Sequence, residues 1–417
     1  MGRVVLITCH ALRADRLGIH GCPRETSPNL DAFAREATVF EEAYAVTPLS
    51  LPSLASLHTG RLPEELGAVA ANVPTLAEQV RAEGVATAAV VAHSFDREAS
   101  GIDLRRGFEH FDDGTAEGRD GGARMPRGAA ETTDAALAWL GRAGEEPFLL
   151  WVHYADLQGP YDPPEPWLSR FLREPPDDQR LPRAEGGRGS IPLAHAVGAE
   201  DRPAVYRDRY DAAIAYLDSE LERLLDGLRS GAAWERTYVV FTSDHGQSLG
   251  ERGQWFTSGT DLHREAVRVP LVVRAPEGVA APAARNLSGA RRVAAVAGHL
   301  DVAPTVLAAL GIEPPRARGT SLLVDELPSG RVLPQVLTVP GESTPRAFAA
   351  SDGRFRLLWS EGRPDARLFD IRADPAELRD LSSRDTARLI ELIEGRRRFL
   401  GGSGDEPLQV GLGADGD

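Results

Sequence analysis

Cysteine is almost absent from this 417-residue chain. Cys9 and Cys22 are the only two, too few for a disulfide framework or a cysteine-only metal cage. Cys9 sits inside an apolar run, where a small inert hydrophobe is the expected role. No apolar run approaches the roughly 18 residues that a membrane-spanning helix needs. No signal-peptide h-region is seen either, because Met1-Gly2-Arg3 leads directly into the strand-like Val4-Val5-Leu6-Ile7. The expected location is cytoplasmic, with no membrane partner. Basic residues are outnumbered, 47 Lys and Arg against 62 Asp and Glu, for a net charge of -15. That balance argues against non-specific binding to nucleic acid or anionic membrane, so an anionic ligand would need a locally positive pocket. Internal repeats of the solenoid kind are absent as well.

What is present describes a globular protein, with 42% hydrophobic and 26% charged residues. The length exceeds what one core usually covers, so a large domain with a smaller one is expected. Strand and helix signals alternate. Val4–Thr8 reads as a buried strand, Asn29–Glu36 and Pro52–His58 as helices, Thr75–Glu83 as a Thr-capped helix and Val85–Val91 as a strand. Ala129–Gly141 follows as a helix and Phe148–Tyr154 as a strand. Such alternation predicts an α/β fold, a mostly parallel sheet with helices on both faces. Residues 172–203, rich in Pro, Arg, Gly and Asp, read as a surface insertion, partly disordered. Ile214, Leu217, Leu221, Leu224, Leu225 and Leu228 recur at helical spacing and predict an amphipathic helix from about 207 to 229. Arg268–Ala275 and Asp301–Leu310 give one more strand and helix. Beyond them, Ala347–Ser351, Phe355–Trp359 and a helix near 386–399 form a small C-terminal α+β unit. The expected division is 1–340, 341–400 and a disordered tail, 401–417.

The segment Thr237-Tyr-Val-Val-Phe-Thr-Ser-Asp-His-Gly246 is a β-branched and aromatic run ending in an adjacent acid and imidazole. A buried parallel strand has this character, and ligands bind at the carboxyl ends of such strands. Asp244 and His245 are therefore candidates to hold a metal or an anion. The plain alternative is a strand-end turn, with Asp capping a backbone amide.

Other segments extend the pattern in order: Val4 to Asp15, Ser27-Pro28-Asn29-Leu30-Asp31, Ser50-Leu51-Pro52-Ser53 to Gly60, Trp151-Val152-His153-Tyr154-Ala155-Asp156-Leu157-Gln158-Gly159-Pro160-Tyr161, and Arg268-Val269-Pro270-Leu271. Together with Asp244-His245-Gly246 they resemble the sulfatase family of the alkaline phosphatase superfamily, from about residue 3 to 398. The resemblance implies a large mixed, mostly parallel sheet sandwiched by helices, with a small C-terminal sheet-and-helix subdomain. It also implies a divalent cation at the strand ends, a nucleophile at a helix N-terminus attacking a sulfate or phosphate ester, and basic side chains neutralising the equatorial oxygens.

Carried over residue by residue, Ser50 falls on the nucleophile position and Pro52 on the family's Pro. Leu54 stands where the family has Arg, or His in some branches, so formylglycine at Ser50 is not expected. His10 replaces the first-strand Asp ligand. With Asp244 and His245 it would form a set suited to Zn or Mn rather than Ca, or it packs as a structural residue. Gln158 replaces the family's active-site His, and Gly259 or Thr260 its Lys or His. His263 and His153 are left as shifted substitutes at a substrate-binding position, or as structural residues. Arg13 and Asp15 are expected to brace their loop by an ion pair, and His299 to be structural. The four substitutions point to a degenerate or strongly altered active site with weak or no conventional sulfatase activity, a pseudoenzyme candidate. The alternative is an active metal-dependent hydrolase of small anionic sulfate, phosphate or phosphonate esters with Ser50 as nucleophile.

Overall fold

Period-two burial organises the core. Along the first strand Val5 and Ile7 enter one apolar cluster and Val4 and Leu6 another, because successive strand side chains point to opposite faces. A computed structural model describes residues 2–401 apart from 67–71, 94–102, 115–125, 174–178, 232–233, 277–290, 315–317, 325, 339–346 and 361–365. The tail from 402 onward lies outside the described residues. The large sheet contains β1 (Arg3–Cys9), β2 (Thr38–Phe40), β3 (Ala86–Val91), β4 (His110–Asp112), β5 (Phe148–Tyr154), β6 (Thr237–Ser243), β7 (Leu271–Arg274) and β8 (Arg291–Val293). Their spatial order is β8-β2-β7-β6-β1-β5-β3-β4. Only β7 pairs antiparallel to its neighbours, β6 and β2; the other pairings are parallel. The fold is the expected α/β sandwich on a mixed, mostly parallel sheet.

Helices cover both faces. On one side pack α1 (Pro28–Phe33), α4 (Ala129–Leu140) and α5 (Pro203–Ser230). On the other pack α2 (Ser50–Thr59), α3 (Leu76–Ala82) and α6 (Val302–Ala309). The expected leucine stripe of α5 is buried throughout, from Ile214 to Leu228. Thr75 caps α3 in a reciprocal capping box with Glu78, satisfying two otherwise orphaned amide groups.

Four antiparallel strands form a second sheet: β9 (Leu333–Leu337), β10 (Ala347–Ser351), β11 (Phe355–Ser360) and β12 (Arg367–Asp370). One face takes Leu389, Leu392 and Ile393 of α7 (Thr386–Leu400). The other packs Leu333, Ala349, Leu358 and Phe369 on Tyr44, Leu262, Ala266 and Val267 of the large unit.

The described part of the 172–203 insertion is laid down on its neighbours. Gly189 N–H donates to Gly253 O at 2.8 Å and Trp255 N–H to Gly187 O at 2.9 Å, with Ile191 fully buried. These contacts are distant in sequence, and a segment without periodicity does not announce them. Among the described residues no helix is long and apolar enough to cross a membrane.

Candidate active site

Register builds the centre of the site. β1 and β6 run parallel with Cys9 opposite Ser243, so the next residues, His10 and Asp244, emerge side by side at the carboxyl edge. Asp244 N–H donates to Cys9 O at 2.9 Å, and His10 N–H to Tyr154 O of β5 at 2.8 Å. Ala11 then takes a left-handed φ of 51°, uncommon for a residue with a Cβ. That turn aims its N–H at Asp244 Oδ1, 2.8 Å away, and His245 N–H reaches the same oxygen at 2.7 Å. Oδ2 is left facing His10 Nδ1 at 3.1 Å and His245 Nε2 at 3.6 Å.

Asp244 and His245 are buried, while the His10 side chain stays 16% exposed. Burial alone would raise the Asp244 pKa, but His245, His10 and the His10 hydrogen bond hold it well below the usual carboxylate range. Burial pushes His245 down, opposed by Asp244. Asp244 is therefore an anion and His245 a neutral ring at pH 7.

Ser50 is the first residue of α2, with Leu49 as its N-cap. Pro52 falls within the first turn, where its missing N–H breaks no intrahelical bond. The Ser50 hydroxyl does not cap the helix. Its Oγ lies 2.9 Å from His245 Nε2 and 3.3 Å from His10 Nδ1. His245 Nδ1–H donates to Gly246 O at 2.6 Å, which leaves Nε2 as the acceptor facing Ser50. Ser53 fixes the helix to the strand end. Its hydroxyl donates to Asp244 O at 2.6 Å and lies 2.9 Å from His299 Nδ1, and His299 Nε2 donates to Ser243 O at 2.8 Å. His299 is structural in this arrangement, and burial pushes its pKa to about 4. Arg13 pairs with Asp15 at 2.7 Å and with Glu251 at 2.8 Å, and donates to Gln247 O at 3.0 Å. The expected brace thus ties the loops after β1 and β6 together.

His10, Asp244 and His245 offer ligand atoms within 4.8 Å of one another. The 3.1 and 3.6 Å separations about Asp244 Oδ2 fit a tetrahedral edge of about 3.3 Å, the value that follows from Zn bonds of roughly 2.0–2.1 Å. The unused Asp244 oxygen is anchored by two amides and the far His245 nitrogen by a carbonyl, as outer-shell partners orient metal ligands. The residues fit a borderline transition metal better than Ca, which prefers six to eight oxygens.

The other sequence candidates lie apart from this group. His153 is buried in β5 with Nδ1 2.8 Å from Thr8 Oγ1, which also accepts from Trp151 Nε1 at 2.8 Å; burial lowers its pKa to about 3. His263 turns toward the second sheet, with Nδ1 2.7 Å from Glu377 Oε2 and Nε2 3.5 Å from Arg367. Gln158 is exposed in the loop after β5. Leu54 is fully buried in the core under α2. Gly259 has a φ of +74°, and an added Cβ would meet Leu49 Cδ2 at 2.6 Å, so a basic side chain there would strain the backbone and displace Leu49. Two polar residues close to the site carry no recognisable sequence signal. Gln247 follows the Asp-His pair, and His195 arrives from the insertion, with its Nε2 3.4 Å from Gln247 Nε2.

The Sulfatase family profile matches residues 3–312, about three quarters of the chain. The protein belongs to the sulfatase family. Among its relatives, the choline-sulfatase of Rhizobium meliloti is 27% identical over 85% of this chain and 77% of its own length. The arylsulfatase of Clostridium perfringens is 25% identical over 95% and 93%. The phosphonate monoester hydrolase SpPMH of Silicibacter pomeroyi superposes with a TM-score of 0.75 at 21% identity, covering 98% of this chain and 97% of that one. That last likeness speaks to the fold alone. Sulfatase-family members are typically metal-dependent.

Proposed function

We propose that this sulfatase-family protein is an altered hydrolase of small sulfate, phosphate or phosphonate esters, using Ser50 without conversion to formylglycine and with little conventional sulfatase activity. One observation carries the reading: a helix-N-terminal hydroxyl 2.9 Å from the free Nε2 of His245, beside the converging His10, Asp244 and His245. Nε2 accepts the Ser50 proton as Oγ attacks phosphorus or sulfur, and the helix N-terminus favours the developing negative charge. The ester bond to the leaving oxygen breaks and that oxygen takes a proton from solvent; water then hydrolyses the serine ester, losing a proton to solvent as His245 Nε2–H returns its own to Ser50 Oγ. Asp244 keeps the His10 imidazole oriented through Oδ2 while its other oxygen stays on the backbone, and Gly246 O orients His245. A Zn or Mn ion on His10, Asp244 and His245 would occupy Nε2 of His245, since Nδ1–H is on Gly246 O; it would then activate the Ser50 hydroxyl in place of that nitrogen, polarise the ester and lower the cost of its negative charge.

A second reading is a catalytically silent member that binds without turnover. It is favoured by Leu54, buried where the resemblance implies an Arg, and by Gly259, whose left-handed backbone disfavours the basic side chain that the resemblance implies. Metal analysis of the purified protein comes first, followed by assays on aryl sulfate, phosphate monoester, phosphate diester and phosphonate substrates with Ca, Mn and Zn. Stoichiometric transition metal with turnover abolished by Ser50→Ala is the expected result. Protein that binds no metal and turns over none of the four classes would leave the silent reading standing.

A further inference from the structure

Three consecutive amides leave β1 with their hydrogen bonds assigned. Ala11 N–H donates to Asp244 Oδ1 and Leu12 N–H to Ser243 Oγ, both at 2.8 Å and both within the pair of strand ends that form the site. Arg13 N–H goes elsewhere, to the hydroxyl of Tyr210 at 3.1 Å. The same hydroxyl donates to Ala11 O at 2.7 Å. Tyr210 stands on α5, four residues before Ile214 and on the same face of the helix. Its ring is fully buried and lies edge-on to Tyr161, with centroids 5.2 Å apart.

The turn that Tyr210 closes is strained. Ala11 holds a φ of 51°, and a left-handed residue with a Cβ persists only where its surroundings over-determine it. The bend brings Ala11 O and Arg13 N–H to one point, and a tyrosine hydroxyl serves both because it donates and accepts at a single atom. Burial raises the Tyr210 pKa above its ordinary value, so the donated proton is retained. The effect reaches the site by two routes. Ala11 N–H occupies Asp244 Oδ1, which leaves Oδ2 for His10 Nδ1 at 3.1 Å. His10 itself precedes the bend, and on its other side its N–H donates to Tyr154 O of β5 at 2.8 Å. Its backbone is therefore held from β5 on one side and from α5 on the other.

We infer that Tyr210 is a positioning residue for this centre: its hydroxyl clamps the left-handed turn at Ala11 and so sets the approach of His10 to Asp244. The inference rests on the reading of His10, Asp244 and His245 as a functional centre, and adds a residue outside those three. Wild type, Tyr210→Phe, Ala11→Gly and the double variant test it on the whole chain, with near-UV circular dichroism confirming each fold. Phe keeps the ring and its packing, and glycine takes a positive φ without a clamp. Two readouts are compared: the ring-nitrogen NMR signals of His10 in metal-free protein, assigned by their loss in His10→Ala, and calorimetric titration with Zn alone. Tyr210→Phe is expected to move the His10 signals and to weaken Zn binding about tenfold, the lower end for losing a partner that orients a metal ligand. In the Ala11→Gly background the same substitution is expected to change Zn affinity by less than about threefold, a coupling that independent structural losses do not produce. Unmoved His10 signals in Tyr210→Phe, or an equal loss of Zn affinity in both backgrounds, would overturn the inference. Wild type that binds no Zn would instead end the metal reading. The clamp then stands if Tyr210→Phe moves the His10 signals in the Ala11 background and not in the Ala11→Gly background, and falls otherwise.

Discussion

His10 lies 3.1 Å from Asp244, and His263 lies 2.7 Å from Glu377. The functional groups are alike, but the surroundings differ. Glu377 is fully committed: one oxygen takes His263 Nδ1–H and Arg264 N–H, and the other takes Arg356. Arg356 is itself buried, and reaches Leu262 O and Gln335 as well. This pair fastens the second sheet to the large unit. In the other pair, one oxygen of Asp244 is spent on the backbone, and the second faces two imidazoles, which in turn face a serine hydroxyl, at a strand end that solvent still reaches through His10. A histidine and an acid therefore indicate chemistry only where some bonding capacity is left over. Completed on all sides, the same two groups are a joint.

The comparison is open to disruption at several points. The largest effect is expected at Glu377→Ala, which strands Arg356 and His263 in the interior. Breaking a buried network this way costs about 3–5 kcal/mol, seen as a lowered urea midpoint. A midpoint within error of wild type would mean the joint contributes nothing. Next, His10→Ala and His263→Ala should part company. The first is expected to weaken Zn binding by roughly 100-fold or more, beyond the effect of losing an outer-shell partner, with little change in unfolding. The second is expected to lower stability and leave Zn affinity alone. Equal effects of the two on metal affinity would erase the distinction.

His58 supplies a third case, a buried imidazole packed 4.4 Å from the Trp151 ring, with burial driving its pKa down to about 3. The folded form binds its proton less readily than the unfolded chain. Its contribution to stability is therefore complete above about pH 6.5 and is lost as pH falls toward 3, by about 1.4 kcal/mol per unit. His58→Phe is expected to lose less stability than wild type between pH 7 and 5, compared by urea denaturation at each pH. A parallel loss in both proteins would contradict a neutral buried His58. The smallest effect is expected at Gly259→Ala. Its φ of +74° and the 2.6 Å approach to Leu49 should cost about 1–2 kcal/mol. Because Leu49 is the N-cap before Ser50, ester turnover should fall as well, measured beside the thermal midpoint.

Much of the fold and half of the site were legible in the residues alone. Buried strands announce themselves as continuous β-branched runs, so β5 and β6 match their expected spans of 148–154 and 237–243. The stripe on α5 and the Thr75 cap on α3 are local patterns of the same kind. The association of His10, Ser50, Asp244 and His245 came from the order of their segments in a family resemblance. What joins them is the Cys9–Ser243 register and the placement of α2, both products of tertiary packing. His263 shows the limit of reading residue types. It was one of the few imidazoles near an expected basic position, yet its partner is Glu377, 114 residues away. The joint between the two sheets could not be seen in either segment.

The sequence by itself determined which runs become strands and helices and which residue types stand at the strand ends, because propensity, capping and periodicity act over a few neighbouring residues. Only the tertiary structure decided which of those groups meet and which keep bonding capacity in reserve. It brought His195 across from a segment without periodicity to Gln247 and Gly159, and it closed His263 into a completed network. Hydrogen-bond and packing partners are chosen by distance in space, and an imidazole has the same letter in the sequence whether its nitrogens are satisfied or waiting.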